Sequence, residues 1–267
     1  MNDTPLGKKS LGQHWLYHTE SLRAMCDAAE VGADDTVLEI GPGLGSLTEL
    51  LVRRAKKVVA VEFDERLADE LPARVPAQNL EVAAQDILRF DFTKLPAGYK
   101  VVANIPYYLT SNLIRVLSES VNPPVRAVLL VQKEVAERMA ARPGATSLLS
   151  VSAQFYWEVS LGRIVPAALF TPPPKVDSQI LIMQYREQPL FPDIDTKQFF
   201  RLVKAGFVGR RKTLLNSLSA GLQLEKSAAR KLLEHAKIQP TLRAQNLALD
   251  DWHRLYEAWH ELQVAAA

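Results

Sequence analysis

Over roughly the first 185 residues, short apolar runs rich in β-branched side chains alternate with longer stretches of helical spacing. The runs Thr36–Ile40, Lys57–Glu62, Leu80–Ala83, Lys100–Asn104, Arg126–Gln132 and Val151–Trp157 read as strands, and a further one, Ser178–Tyr185, follows a long loop. Thr19–Ala29, Gly45–Arg54, Asp64–Ala73, Ser111–Ser118 and Lys133–Ala141 repeat apolar residues at helical spacing and read as amphipathic helices. Strands that are apolar on both faces need cover on both faces, which helices between parallel strands provide. The pattern therefore predicts a doubly wound α/β domain. Periodicity stops in Gln188-Pro-Leu-Phe-Pro-Asp193, which reads as a linker, and no strand-like run returns after it. Thr196–Gly209, Arg211–Ala220, Lys226–Ala236 and Asp250–Leu262 have helical spacing, with Gly221 and Pro240 as stops. The expected organisation is a domain over 1–187 and a small all-helical domain over 188–267.

Composition narrows the partners. With 48% hydrophobic and 23% charged residues the 267-residue chain has the makings of a folded core and not of a disordered polymer. The net charge is only +2, yet Arg201–Gln245 holds ten Lys/Arg against two Asp/Glu, a local +8 that leaves −6 for the rest. Such a stretch is either a solvated helical surface or a phosphate-contacting one. The single cysteine, Cys26, cannot form an internal disulfide, and Met1–Ser10 lacks the apolar core of a secretory signal. No run of eighteen apolar residues occurs, so a cytoplasmic protein is expected. The five histidines form no ligand pattern with a carboxylate, and no metal is expected.

The candidate chemistry lies at strand ends. Thr36-Val-Leu-Glu-Ile-Gly-Pro-Gly-Leu-Gly45 runs a buried strand into three glycines and a helix, the place where open α/β sheets bind ligands. The G-x-G-x-G spacing departs from the G-x-G-x-x-G that seats a dinucleotide pyrophosphate. Glu62 ends the next strand, 21 residues after Gly41, where a carboxylate can accept both ribose hydroxyls. Asp86 follows the third strand and can accept from an exocyclic amine, whereas Asp64 fits better as a helix N-cap. An adenosine without a phosphate cradle points to S-adenosylmethionine, whose positive charge suits an acidic pocket; NAD is the alternative. At the end of the fourth strand stands Asn104-Ile-Pro-Tyr107. Adenine N6 is a poor nucleophile because its lone pair is conjugated into the ring. The Asn104 side-chain oxygen and the Ile105 carbonyl can accept its protons and aim that lone pair, Pro106 stiffens the turn, and Tyr107 offers a face for a base taken out of its stack.

Taken in order, Lys8-Lys-Ser-Leu-Gly-Gln-His-Trp-Leu16, Glu39-Ile-Gly-Pro-Gly-Leu-Gly45, Glu62, Gln85-Asp86, Asn104-Ile-Pro-Tyr107, Phe170-Thr-Pro-Pro-Pro-Lys-Val-Asp-Ser178 and Phe207-Val-Gly-Arg-Arg-Lys-Thr-Leu-Leu-Asn216 resemble the ribosomal RNA adenine N6,N6-dimethyltransferase family over nearly the whole chain. The resemblance implies a Rossmann-like class I S-adenosylmethionine-dependent methyltransferase with a helical C-terminal domain. It places cofactor contacts on His14, Leu16, Gly41, Glu62, Asp86 and Asn104, and a second base-stacking ring at Phe170. His14 stands where the family often has Asn. The segment Arg210–Asn216 is similar to the branch that acts on small-subunit (16S) RNA and is linked to kasugamycin sensitivity, and is generally lacking in macrolide-resistance relatives. This implies dimethylation of two adjacent adenosines near the 3′ end of small-subunit RNA, in an immature subunit, by a monomer docked through Arg210, Arg211 and Lys212. A DNA adenine methyltransferase would share Asn104–Tyr107 but should carry a larger target-reading domain. A non-catalytic assembly factor would have no need of Glu62, Asp86 and Asn104.

Overall fold

The computed structural model describes residues 13–188, 190–209 and 211–264. The first half of the chain forms β1 (Trp15–Leu16), α1 (Thr19–Ala28), β2 (Thr36–Ile40), α2 (Thr48–Val52), β3 (Lys57–Glu62), α3 (Glu65–Arg74), β4 (Leu80–Ala84), β5 (Lys100–Asn104), α4 (Thr110–Ser118), β6 (Arg126–Gln132) and α5 (Lys133–Met139). There follow α6 (Leu148–Tyr156), β7 (Trp157–Val165), β8 (Phe170–Thr171), β9 (Ser178–Tyr185), α7 (Thr196–Gly206), α8 (Leu214–Leu222), α9 (Lys226–His235) and α10 (Leu249–Val264). The described residues fall into two compact units, one of the residues up to Glu137 with Trp157–Arg186, the other of Arg138–Tyr156 and the residues from Glu187 on.

The first unit is built on a seven-stranded sheet in the order β4-β3-β2-β5-β6-β9-β7. β2 to β6 run parallel, and β9 and β7 close one side antiparallel. Val37, Val58, Val101, Val102 and Ala127 through Val131 are fully buried, as strands covered on both faces require. Register then decides where the chemistry sits. Ile40 pairs with Val61 of β3 and with Ala103 of β5. The next residue on each strand is Gly41, Glu62 and Asn104, so these three leave the sheet at one level of its carboxyl edge. A separate two-stranded ribbon pairs Trp15 with Thr171 and Leu16 with Phe170.

The second unit is helical, with Phe155, Phe199, Leu202, Leu232 and Trp252 among its buried core. Five expectations are corrected here. Val151–Trp157 is not a strand: α6 occupies Leu148–Tyr156 and β7 begins at Trp157. Val151 and Phe155, one helical turn apart, bury on one face in the helical core, and Ser147 and Ser150 bond reciprocally around the first turn of α6. Residues 138–156 accordingly belong to the helical unit instead of the first domain. Gly221 is not a stop: it lies inside α8, where an added Cβ would come within 2.6 Å of the Ala205 Cα, and the helix ends instead at Gln223 in the left-handed region. Nor does Arg211 open that helix, because Thr213 caps it and α8 starts at Leu214. In the first unit, Gly45 at φ +89° stands outside helical geometry, which shortens α2 to Thr48–Val52.

Candidate active site

The turn after β2 is held from two sides. The Gly41 N–H donates to the Val61 carbonyl at 2.9 Å, tying the turn to β3. Gly43 takes φ +57°, and the Trp15 ring stands 2.3 Å from where a Cβ would be, so only glycine leaves room for that ring. The Gly43 N–H donates to Glu62 Oε2 at 3.1 Å and the Asp64 N–H to Glu62 Oε1 at 2.9 Å. Two backbone donors thus fix the Glu62 carboxyl, while each oxygen keeps a further lone pair for a ligand. Burial pushes this group above the ordinary carboxylate range, and the same two N–H donors oppose the shift. Asp64 also caps α3 through its bond from the Arg66 N–H, as expected of it.

Glu39, on the neighbouring strand, contributes a carboxyl that in the sequence is only part of the glycine run. It is buried, lines the same cavity as Glu62, and its Oε2 has no hydrogen-bond partner among the described residues. Burial pushes its pKa up to about 8, with the Thr48 hydroxyl opposing and the Glu62 charge adding. A cavity lined by one fixed carboxyl and one unsatisfied buried carboxyl suits a ligand that brings both hydroxyl donors and positive charge. S-adenosylmethionine has a ribose diol and a sulfonium, so the residues present fit it. Asp86 stands outside the cavity lining: its Oδ1 accepts from the Leu88 N–H at 2.9 Å and caps a short turn. It is nevertheless beside the site, since the Gln85 N–H donates to the Glu62 carbonyl at 2.9 Å.

On the other side of the cavity, Asn104, Ile105, Pro106 and Tyr107 line it together with His14, Leu16 and Phe170. The Asn104 Nδ2 donates to the His14 carbonyl at 3.4 Å, which leaves the Oδ1 as the acceptor. The Pro106 carbonyl accepts from the Leu109 N–H at 3.0 Å, fixing the turn that carries Tyr107. The His14 Nδ1 lies 2.7 Å from the Pro172 carbonyl, so that nitrogen carries the proton. Its ring stacks near that of Tyr107, with centroids 6.1 Å apart and planes at 24°. The Tyr107 hydroxyl meets the Ser178 Oγ at 2.7 Å, a partner that nothing in the sequence suggests. Phe170 is packed more deeply than a stacking ring on an open lip would be: it is 3% exposed and shares an apolar cluster with Leu16, Leu22 and Ile180.

Of the basic trio, Arg210 lies outside the described residues. Arg211 and Lys212 are exposed in the turn before Thr213 and form no ion pair among the described residues. Among those residues no group of three metal-ligating side chains occurs, and no helix is long and apolar enough to cross a membrane.

Residues 5–261 match the sequence model of ribosomal RNA adenine dimethylase. The chain belongs to the ribosomal RNA adenine dimethylase family. A relative from Dehalococcoides mccartyi named ribosomal RNA small subunit methyltransferase A is 41% identical over 252 residues, covering 93% of this chain and 87% of that protein. One of the same name from Streptococcus agalactiae is 40% identical over 270 residues, covering 96% and 93%. Among solved structures, a dimethyladenosine transferase from Plasmodium falciparum superposes with a TM-score of 0.79 at 29% identity, covering 93% of this dimethylase and 98% of that chain. The 23S rRNA methyltransferase ErmE gives 0.75 at 28%, covering 91% and 98%. The dimethylase therefore has the Rossmann-like methyltransferase fold with C-terminal helices, and it methylates adenine in ribosomal RNA with S-adenosylmethionine as methyl donor.

Proposed function

We propose that this dimethylase converts two adjacent adenosines in the 3′-terminal hairpin of small-subunit ribosomal RNA to N6,N6-dimethyladenosine, acting in the cytoplasm as a monomer on an immature subunit. The observation that carries the chemistry is Asn104 at the end of β5, with its Nδ2 engaged by the His14 carbonyl and its Oδ1 facing the task of an acceptor. The names of relatives around 40% identical support the choice of subunit.

The cofactor, when bound, supplies a methyl group on a cationic sulfonium. Glu62 accepts from the ribose hydroxyls, using the lone pairs its backbone donors leave. Asp86, with Oδ1 engaged, accepts from the adenine amine through Oδ2. Gly41 lets the chain pass close to the ligand, and Leu16 and His14 close the opposite wall. Asn104 Oδ1 and the Ile105 carbonyl accept the two protons of the target N6 and turn its lone pair toward the methyl carbon; Pro106 brings no competing N–H. Tyr107 stacks on the flipped base, with Phe170 completing the apolar wall. Arg210, Arg211 and Lys212 hold RNA phosphates, which fixes register without reading sequence.

The test is methyl transfer from a radiolabelled donor to immature small subunits, naked small- and large-subunit RNA and duplex DNA, with mass spectrometry of the labelled product. Two dimethylated adenosines near the small-subunit 3′ end are expected. Label confined to large-subunit RNA or to DNA would overturn the assignment.

A further inference from the structure

Methyl transfer to a flipped base depends on the base lying at the correct angle to the donor, so whatever orients the stacking ring controls the rate. Resting on the reading of Tyr107 as that ring, we infer that Ser178 is a positioning residue: its hydroxyl, at the start of β9, holds the Tyr107 ring at the angle that presents adenine N6 to Asn104.

The geometry is specific. Ser178 is fully buried, and among the described residues its hydroxyl bonds the Tyr107 hydroxyl, 2.7 Å away and 71 positions back in the chain. Its own backbone is rigid, because Ser178 pairs with Gln132 of β6 on one side and Val165 of β7 on the other. The residue before it is anchored too: the Asp177 carbonyl accepts from the Lys133 N–H at 3.0 Å, and its Oδ1 from the Ala167 N–H at 2.9 Å. The other end of the same Pro-rich segment reaches the same ring by a second route, since the Pro172 carbonyl fixes His14 and the His14 ring stacks near Tyr107. Tyr107 sits on a short turn whose carbonyl takes the Thr110 hydroxyl at 3.0 Å, so its backbone is held locally while its ring is held from afar. The Phe-Thr-Pro-Pro-Pro-Lys-Val-Asp-Ser segment thereby acts as a jig for the target base, beyond providing Phe170.

A merely structural role and a positioning role separate in a double-variant experiment. Removing either hydroxyl alone leaves the other without its partner, which lowers the melting temperature, whereas removing both leaves no orphan and restores much of it. Ser178→Ala and Tyr107→Phe are each expected to lower kcat on RNA at saturating cofactor by about three- to tenfold, with cofactor Kd by calorimetry unchanged. In the combined variant the melting temperature should recover while kcat stays at the level of the single variants. A kcat that recovers together with the melting temperature, or a Ser178→Ala enzyme with wild-type kcat, overturns the inference. Tyr107→Leu tests the underlying stacking reading separately. If its loss does not exceed that of Tyr107→Phe, the ring does not stack on the base, whatever Ser178 does.

Discussion

The two walls of the cavity are made in different ways. The wall at the ends of β2 and β3 is local and built largely from backbone: Gly41, Gly43 and Asp64 supply the N–H groups, and all its polar contacts lie within about twenty residues of one another. The wall at the end of β5 is an assembly of side chains from three distant segments, tied by contacts that span 158, 90 and 71 positions. A small ligand that arrives free in solution can be met by a rigid, preformed backbone cradle. A base drawn out of a large RNA needs groups whose angles can be set individually, and side chains from separate segments provide that.

If the division is functional, substitutions on the two walls should fail in opposite ways. Asn104→Ala should have the largest effect, lowering kcat by about 10²–10³-fold, the scale for an acceptor that acts in the transition state, while calorimetry shows nearly unchanged cofactor affinity. Glu62→Ala should do the reverse, weakening cofactor binding by about 1.5–3 kcal/mol with a smaller change in kcat at saturating cofactor. If both variants lost affinity and turnover alike, the two walls would be one site and the contrast would fall. Gly43→Ala sharpens the same contrast within the backbone wall. It forces a Cβ into left-handed backbone and against the Trp15 ring, and should cost about 1–2 kcal/mol of folding stability and cofactor affinity together.

A further effect concerns pH. The Glu39 carboxyl, raised by burial to about 8 in the folded chain, stays protonated there while its unfolded counterpart ionises near 4.5. The unfolded state therefore binds fewer protons between those values, and stability falls as pH rises through that window. Glu39→Gln should flatten this slope. Chemical denaturation of both proteins across pH 5 to 8 measures it, and parallel slopes would show that Glu39 is ionised in the folded protein.

The contrast also explains what could be read in the sequence. β2, β3, β5, β6 and β9 match their apolar runs end for end, because strands buried on both faces have no other pattern to follow. Glu62 and Asn104 are legible for the same reason: each is the polar residue that ends such a run. Val151, Ala153 and Phe155 misled because alternate apolar residues over a short stretch satisfy a strand as well as one helical turn, and only the distant partners Phe191 and Phe199 decide between them. Ser178 and Trp15 have no role that the sequence suggests, and His14 only that of a cofactor contact, since nothing local tells a serine that its partner is a tyrosine on another strand's turn. Glu39 was illegible in another way: its missing partner is a property of the folded cavity.

The excursion of residues 138–156 into the helical unit has a consequence for inheritance. The chain crosses from one unit to the other three times, after Glu137, at Trp157 and after Arg186. A gene truncated at the linker would keep α6 but lose the partners of Val151 and Phe155, exposing a greasy helix in the middle of what remained. The helical unit therefore cannot be shed or exchanged by a single recombination at the linker.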